Sequence, residues 1–549
     1  VVWLLIFAIL PQHGFAQKFE TVKDEQNGRY IAKVHFKLPP KAIDSARIAS
    51  PLVWEFHERT SKNAAPSYMR AHYYLEEYLR KNMQHDYQRL LTAIWEKAEK
   101  VPVDTEELIR QTIKSPIQSQ RSAKDKNKSN EELTPEELRR QQQTDFVSGI
   151  SSITQDYAIF SLHEHPEQLD AVKKFVAQNE LLFRCLEEGS RCEFCDFGIP
   201  FRETNNPLGL LLPDIQNMRK LTRALRVKIM LEIHEKRFND ALKSIRIGLA
   251  MARHTGKQPT LVCGLIGITI HNIILQELQN MMSDRDCPNL FWETATIPHP
   301  FLNFIDAAEI DKELLPQTFP VLRKAMDTPE SISDEEWRLL FRQMIDFLKQ
   351  TVGNKDQQPL FLKFPYQSWV VSSYPAARQY LLAQGKTAKE IDTIIPEKVV
   401  GLHSAYEIKR FWNKYFRVMY LPLWEKAEYN SDEWDEQWRN EISQQPFSGN
   451  WFSKGVTEIF LPAIKSARMA YRRMELSSDI MRIAAAIQDY AAQNHGNVPV
   501  SLDEIKNLPI PNVDPASGKT YDYNVINSIG QINVSNITPI NTVEFEIVK

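Results

Sequence analysis

The stretch TLVCGLIGITIHNIIL (260–275) constrains the fold more than any other, because it runs sixteen residues without a formal charge. Such a run either crosses a bilayer or is enclosed by protein. His271 and Asn272 lie inside it and Gln276 and Glu277 follow directly, so it reads as a fully buried core helix. A buried helix needs amphipathic neighbours, and the chain supplies them. In SISDEEWRLLFRQMIDFLKQ (331–350), Ser333 and Glu336 make a capping-box pattern. Trp337, Leu340, Phe341, Met344, Ile345 and Leu348 then recur at helical spacing and mark one apolar face. YPAARQYLLAQGKTAKEIDTIIPE (374–397) reads as two short helices, the first ended by Gly385, the second capped by Thr387 with Glu390 and stopped by Pro396. Glycine is scarce, 18 of 549 residues, which argues against Gly-rich phosphate loops and closed barrels.

EKRFNDALKSIRIGL (235–249) places Phe238, Ala241, Ile245, Gly248 and Leu249 as in the second helix of a tetratricopeptide (TPR) repeat, where small residues let helices pack closely. Ile229 stands where the first helix of such a repeat has Gly, so the expected architecture is a degenerate, mostly α, TPR-like helical solenoid. The net charge of −3 and a pI near 6.6 argue against a nucleic-acid binder.

The opening VVWLLIFAIL is too short to span a bilayer and fits the apolar part of a signal peptide, with Gly14 and Ala16 as the small residues before a cut. The expected organisation is a signal peptide (1–16), an N-terminal helical region (17–114), a solvated linker (115–145), a helical-repeat domain (146–479) and a small α+β domain (480–549). The mature chain is expected to lie in the periplasm or another extracytoplasmic compartment, without a membrane span.

After residue 480 the pattern changes. IMRIAAAIQDYAAQNHGNVPVSLDEI reads as a helix, a turn and a second helix capped by Ser501 and Glu504, and the residues after 512 alternate as short antiparallel strands do. Asp489, Tyr490, Gly496 and Pro499, then Asp514, Pro515, Gly518, Lys519 and Tyr521, make this tail resemble the soluble end of type II secretion pseudopilins and pilin-like proteins. More broadly, NAAPSYMRA (63–71), CDFG (195–198), RFNDALKSIRIGLAMARHTGKQPTLV (237–262) and SYPAARQYLLAQG (373–385) make the chain similar to a set of uncharacterised exported bacterial proteins that join degenerate helical repeats to such a tail. The resemblance implies an architecture and export; no activity travels with it.

RCLEEGSRCEFCDFG (184–198) carries three of the five cysteines. Cys185 falls on the apolar face of a helix that Gly189 ends, and Cys192 and Cys195 fall in the loop after it. One C-x-x-C is half of a structural zinc site. The remaining accounts are a disulfide with one thiol left over, buried thiols, or a redox dithiol; for an exported chain the disulfide is the simplest. The D-F-G has neither the Gly-rich loop nor the H-R-D of a kinase before it. The G-K-T triplets at 385 and 518 have Tyr380 and Val513 where a P-loop needs Gly, so no cofactor is expected. His163 with His165, and His403 with Glu407, are pairs without a visible third ligand.

Aromatics crowd 404–442. Phe411, Trp412, Tyr415, Phe416, Trp424, Trp434 and Trp438 are the candidate contact residues, since Trp and Tyr anchor interfaces; helical spacing would equally bury most of them between repeats. The function expected is that of a non-enzymatic scaffold or adaptor with protein partners in a multi-subunit complex, or with further copies of itself. The alternatives are a zinc- or thiol-dependent enzyme built on Cys185, Cys192 and Cys195, and a cell-envelope glycan binder using exposed Trp.

Overall fold

The structure, a computed structural model, describes residues 20–23, 30–82, 169–204, 207, 210, 212–303, 305–351, 365–417, 420, 451–515, 518–534 and 540–548. The signal-peptide and linker expectations (1–16, 115–145) and the His163/His165 pair lie outside these residues.

The described chain is mostly helical with a small sheet. It begins with β1 (Glu20–Lys23), β2 (Tyr30–Leu38), β3 (Thr60–Asn63) and α1 (Ala65–Asn82). There follow α2 (Leu169–Gln178), α3 (Glu180–Ser190), β4 (Cys192–Phe194), α4 (Pro213–His234), α5 (Phe238–Gly256) and α6 (Leu261–Ser283). Short and medium helices come next: α7 (Phe291–Thr294), α8 (Ile305–Thr318), α9 (Pro320–Asp327), α10 (Asp334–Thr351), α11 (Tyr366–Ala383), α12 (Ala388–Asp392) and α13 (Pro396–Arg417). The chain closes with the long α14 (Trp451–Gln493), β5 (Asp522–Ile526), β6 (Ile529–Asn533) and β7 (Ile540–Ile547).

The uncharged run forms α6. It is long and apolar enough to cross a membrane by length and composition, and it is enclosed by α4, α5 and α14. Its one ring nitrogen group is accommodated: His271 Nε2 lies 3.2 Å from the Ser478 hydroxyl of α14, and the ring packs on Phe301 with centroids 4.4 Å apart. Contact between α5 and α6 is very close. A Cβ on Gly267 would stand 2.6 Å from the Gly256 Cα and 2.8 Å from the Ala252 carbonyl oxygen, so only glycine lets the two backbones meet there. Gly248 faces Ile274 in the same crossing, and Ala241, Ile245 and Leu249 are buried beside it.

Local capping follows the sequence. Glu336 accepts from the Ser333 amide at 2.9 Å while Ser333 Oγ accepts from the Glu336 amide at 3.3 Å. Thr387 and Glu390 repeat the arrangement. Trp337, Leu340, Phe341, Met344 and Ile345 are buried as one stripe. Gly385, at φ 89°, turns the chain out of α11. Pro396, however, does not stop α12, which has ended at Asp392; it is the first residue of α13, where its missing N–H costs nothing. The second helix expected from Ser501 is also not formed. Ser501 caps a single turn, Leu502–Glu504, and the Glu504 carboxylate is taken by the Tyr490 hydroxyl (2.8 Å) and the Val500 amide (3.0 Å).

Both ends of the described chain share one sheet, in the order β1-β2-β7-β6-β5. β5 and β6 form a hairpin through Asn527 and Ser528, both at positive φ as a type I′ turn requires. β7 pairs antiparallel with β6 and parallel with β2, burying Phe36 against Phe545 at 5.5 Å. On the other face His35 lies between two carboxylates of β7, Nδ1 3.2 Å from Glu544 and Nε2 2.8 Å from Glu546. The division placed at residue 480 falls inside α14, and the sheet completed by the tail begins at residue 20. The segment after β2 is bound to the far end of α14: the Lys41 amide donates to the Gln488 carbonyl at 3.0 Å and the Ile43 amide to Asp489 Oδ1 at 2.7 Å.

Candidate functional site

Three of the stretches that carried the family resemblance meet at one place. β3 and β4 pair in parallel, so CEF is a strand and not the loop expected; its partner is Thr60–Asn63. The Asn63 side chain extends this pairing, with Nδ2 donating to the Asp196 carbonyl at 2.8 Å and Oδ1 accepting from the Asp196 amide at 2.9 Å. Asp196 Oδ1 in turn accepts from the Gly198 amide at 2.8 Å, and Gly198 sits at φ 64°. The D-F-G is therefore a side-chain-stapled turn.

Beneath this turn, Tyr68 of α1 donates its hydroxyl to His254 Nδ1 at 2.8 Å, and His254 Nε2 donates to the Cys192 carbonyl at 2.9 Å. That arrangement fixes the neutral Nε2–H tautomer. Burial, with the adjacent Arg253 charge, holds the His254 pKa down at about 4, and burial raises the Tyr68 phenol well above its usual range. Gln258 donates to the Cys195 carbonyl and, at 3.0 Å, to the His254 carbonyl. Gly189 lies within α3 and does not end it. A Cβ there would stand 2.7 Å from the Tyr68 ring, so the glycine is a packing position.

The disulfide expectation is corrected: all five cysteines are free thiols. Cys185 is buried on α3, as its place on the apolar face implied, and burial raises its pKa. Cys192 is buried under Thr60, whose hydroxyl lies 3.6 Å from Sγ, and its own Sγ lies 3.5 Å from the Glu188 carbonyl. Burial, then the neighbouring Cys192 and Asp196, pushes the Cys195 thiol far up, and burial brings Cys263 and Cys287 to about 12. Thiols held protonated are poor nucleophiles and poor ligands. Among the described residues no three His, Cys, Asp or Glu side chains gather as a metal site. Burial accounts for these cysteines, so they say nothing of a compartment.

The second concentration of ionisable groups lies where the tail meets the helices. An open cleft of about 490 Å³ is lined by His299, Asp479, Arg482, Val513, Pro515 and Gly518 among others. His299 Nδ1 is 3.1 Å from Glu475 and Nε2 is 3.5 Å from Asp479, so the ring meets a carboxylate on each side. The Glu475 hydrogen bond raises the His299 pKa, and burial raises that of Asp479 to about 6. The Tyr521 hydroxyl donates to Asp479 Oδ2 at 2.9 Å, and Arg482 donates to the Pro509 carbonyl. The tail motif supplies this clasp. The Asp514 amide donates to the Lys519 carbonyl at 2.8 Å and the Gly518 amide to the Asp514 carbonyl at 2.9 Å, folding the loop that presents Tyr521. His299, Glu475 and Asp479 carry no sequence signature, since a loop and a helix about 180 residues apart must meet to create the cluster.

Of the aromatic candidates, Trp412 is corrected: it is 1% exposed, packed beside Ile408 in the core, and is not a contact surface. Phe411, Tyr415 and Phe416 lie on α13, and the placement of their side chains is outside the description. Trp424, Trp434 and Trp438 fall outside the described residues. His403 does meet Glu407, at 3.7 Å, and stacks on Tyr380 with centroids 4.7 Å apart. Large apolar side chains reach solvent at many places among the described residues, Tyr406 and Tyr420 of this aromatic stretch included; on the elements that form the junction or border it they are Phe56 (84% exposed), Tyr73 (63%), Phe194 (51%) and Met69 (47%).

No family model, curated protein or solved structure matches the chain.

Proposed function

We propose that the protein is a non-enzymatic scaffold or adaptor subunit that organises a larger extracytoplasmic protein assembly. In this reading the helices form a degenerate TPR-like solenoid and the tail is a pseudopilin-like α+β domain. The close α5–α6 crossing at Gly248 supports the first. A long helix followed by an antiparallel β5-β6-β7 meander supports the second.

The observation that carries the reading is the exposed apolar surface at the junction. Phe56, Met69, Tyr73 and Phe194 are exposed on the turn, helix and strand that make up or border the junction, and side chains of this type in water are typical interface anchors. The polar groups beneath them are spent on one another, which suits a rigid platform more than a reaction centre. The edge strand β5, with Val525 and Ile526 exposed, offers a further place for strand addition. The test is light scattering and native mass spectrometry of the natively purified chain, beside a Phe56→Ser/Tyr73→Ser variant. The reading expects an assembly in the wild type that the variant loses; an identical lone species in both would refute it.

A further inference from the structure

One continuous chain of polar contacts crosses from the segment between α7 and α8 to the tail. The Phe301 amide donates to Glu475 Oε1 at 2.8 Å, and Glu475 Oε2 lies 3.1 Å from His299 Nδ1. His299 Nε2 is 3.5 Å from Asp479 Oδ1, and Asp479 Oδ2 accepts from the Tyr521 hydroxyl at 2.9 Å. Tyr521 closes the tail loop, its amide donating to the Asn512 carbonyl at 3.1 Å. Two carboxylates of α14 and a single imidazole therefore stand between the helices and the loop.

That imidazole can donate to both carboxylates only as its cation, because the neutral ring carries one N–H and turns a lone pair toward the other acceptor. Loss of the proton also leaves Glu475 and Asp479, four residues apart on α14, to repel each other. Both are nearly enclosed, 3% and 7% exposed, so neither gains water without a movement. The other groups facing the cluster do not replace the charge. The Arg482 guanidinium lies 5.5 Å from the centroid of the Phe291 ring and donates to the Pro509 carbonyl, without an ion pair among the described residues. His271, on α6, is held neutral by burial at about 4, and burial keeps the Tyr471 and Tyr521 phenols protonated. From the tail itself the further charge acting on Tyr521 is the acidic Asp514.

We propose that His299 is a pH-operated latch: its protonated ring holds 509–515 and 518–521 of the tail closed on α14, and its deprotonation frees them. The ring borders the open cleft of about 490 Å³, so its proton exchanges with solvent. The Glu475 hydrogen bond raises the His299 pKa, so the latch is complete below pH 6.5 and is lost as pH rises through the raised value. Asp479, brought to about 6 by burial, is ionised over most of that window and is left without its counter-charge. The competing account is a seat indifferent to pH, in which Leu508, Ile510 and Tyr521 hold the loop by packing on the core.

Hydrogen–deuterium exchange of the full chain at about pH 6 and about pH 9, with exchange times matched to the intrinsic rate at each pH, separates the two. The latch predicts that amides of 509–515 and 518–521 exchange about tenfold faster at the higher pH, the effect of one pKa unit of lost interaction. Leu261–Ser283 is the internal reference and stays equally protected at both. In His299→Gln, whose side chain cannot be charged, the loop exchanges at the fast rate at both pH values. Glu475→Gln keeps an acceptor for the Phe301 amide and removes the largest influence on the ring, so the midpoint of loop opening moves to lower pH. That variant carries the test should His299→Gln not fold. Loop protection that is the same at both pH values, that falls equally in His299→Gln, that falls only together with Leu261–Ser283, or whose midpoint stays in place in Glu475→Gln would overturn the proposal.

Discussion

The Tyr68 hydroxyl donates to Nδ1 of His254 at 2.8 Å, joining the first long helix to a helix some 186 residues later through two fully enclosed side chains. His254 is oriented by this bond toward the Cys192 carbonyl, and Gly189 keeps the space in which the Tyr68 ring lies. Tyr68→Phe removes one hydroxyl and leaves a buried ring nitrogen without a donor. The expected cost is about 1–3 kcal/mol, the range for orphaning a buried polar group. Urea denaturation measures it; an unchanged midpoint and slope would show that the bond is not structural.

Gly267→Ala is the sharpest test of the α5–α6 crossing. Alanine favours a helix over glycine by about 1 kcal/mol, so an open position would be stabilised. Here the new Cβ meets backbone atoms of Gly256 and Ala252, which cannot rotate aside. Overpacking of that kind costs about 1–3 kcal/mol, so a net loss is expected in thermal or chemical unfolding. A net gain would mean that the two helices do not approach this closely.

Burial holds both His254 and His271 at about 4, below the value near 6.5 expected of an unfolded chain. A base with a lowered folded pKa is neutral in the fold. Its contribution is complete above pH 6.5 and is lost as pH falls toward 4, by at most about 1.4 kcal/mol per pH unit per group. His271→Gln removes one such term. The stability difference between wild type and variant should therefore shrink from pH 7 to pH 4 in urea titrations, whereas parallel curves would place His271 in contact with water.

Asp311 runs the other way. It is enclosed near the start of α6, accepts from the Leu261 amide at 3.3 Å, and burial raises its pKa to about 8. An acid with a raised folded pKa is protonated in the fold, so it costs stability progressively as pH rises from 3.8 to about 8. Asp311→Asn keeps the acceptor and removes the charge. It should stabilise the protein, with a gain that grows across that window; a gain independent of pH would contradict the assignment.

These positions also mark how far the sequence could be read. Capping by Ser333 with Glu336 and Thr387 with Glu390 is local, three residues apart, and spacing alone reveals it. The stripe from Trp337 to Ile345 and the burial of α6 follow from periodicity and from an absence of charge, which are local as well. Cys192–Phe194 looked like a loop because its strand partner, Thr60–Asn63, lies some 130 residues earlier. Gly189 carried the signature of a helix stop, yet a ring from another helix is what requires it. At Ser501 the capping pattern was present, but Tyr490 competes for the Glu504 carboxylate and only one turn forms. The parallel pairing of β2 with β7, across about 500 residues, leaves no trace in either strand alone.

The central claim, that the junction surface assembles the protein into something larger, meets its most direct test in the mass of the natively purified particle. Multi-angle light scattering should give a mass well above the 63.8 kDa of one chain, returning to that value in Phe56→Ser/Tyr73→Ser. A wild-type particle of one chain, unchanged by those substitutions, would contradict it.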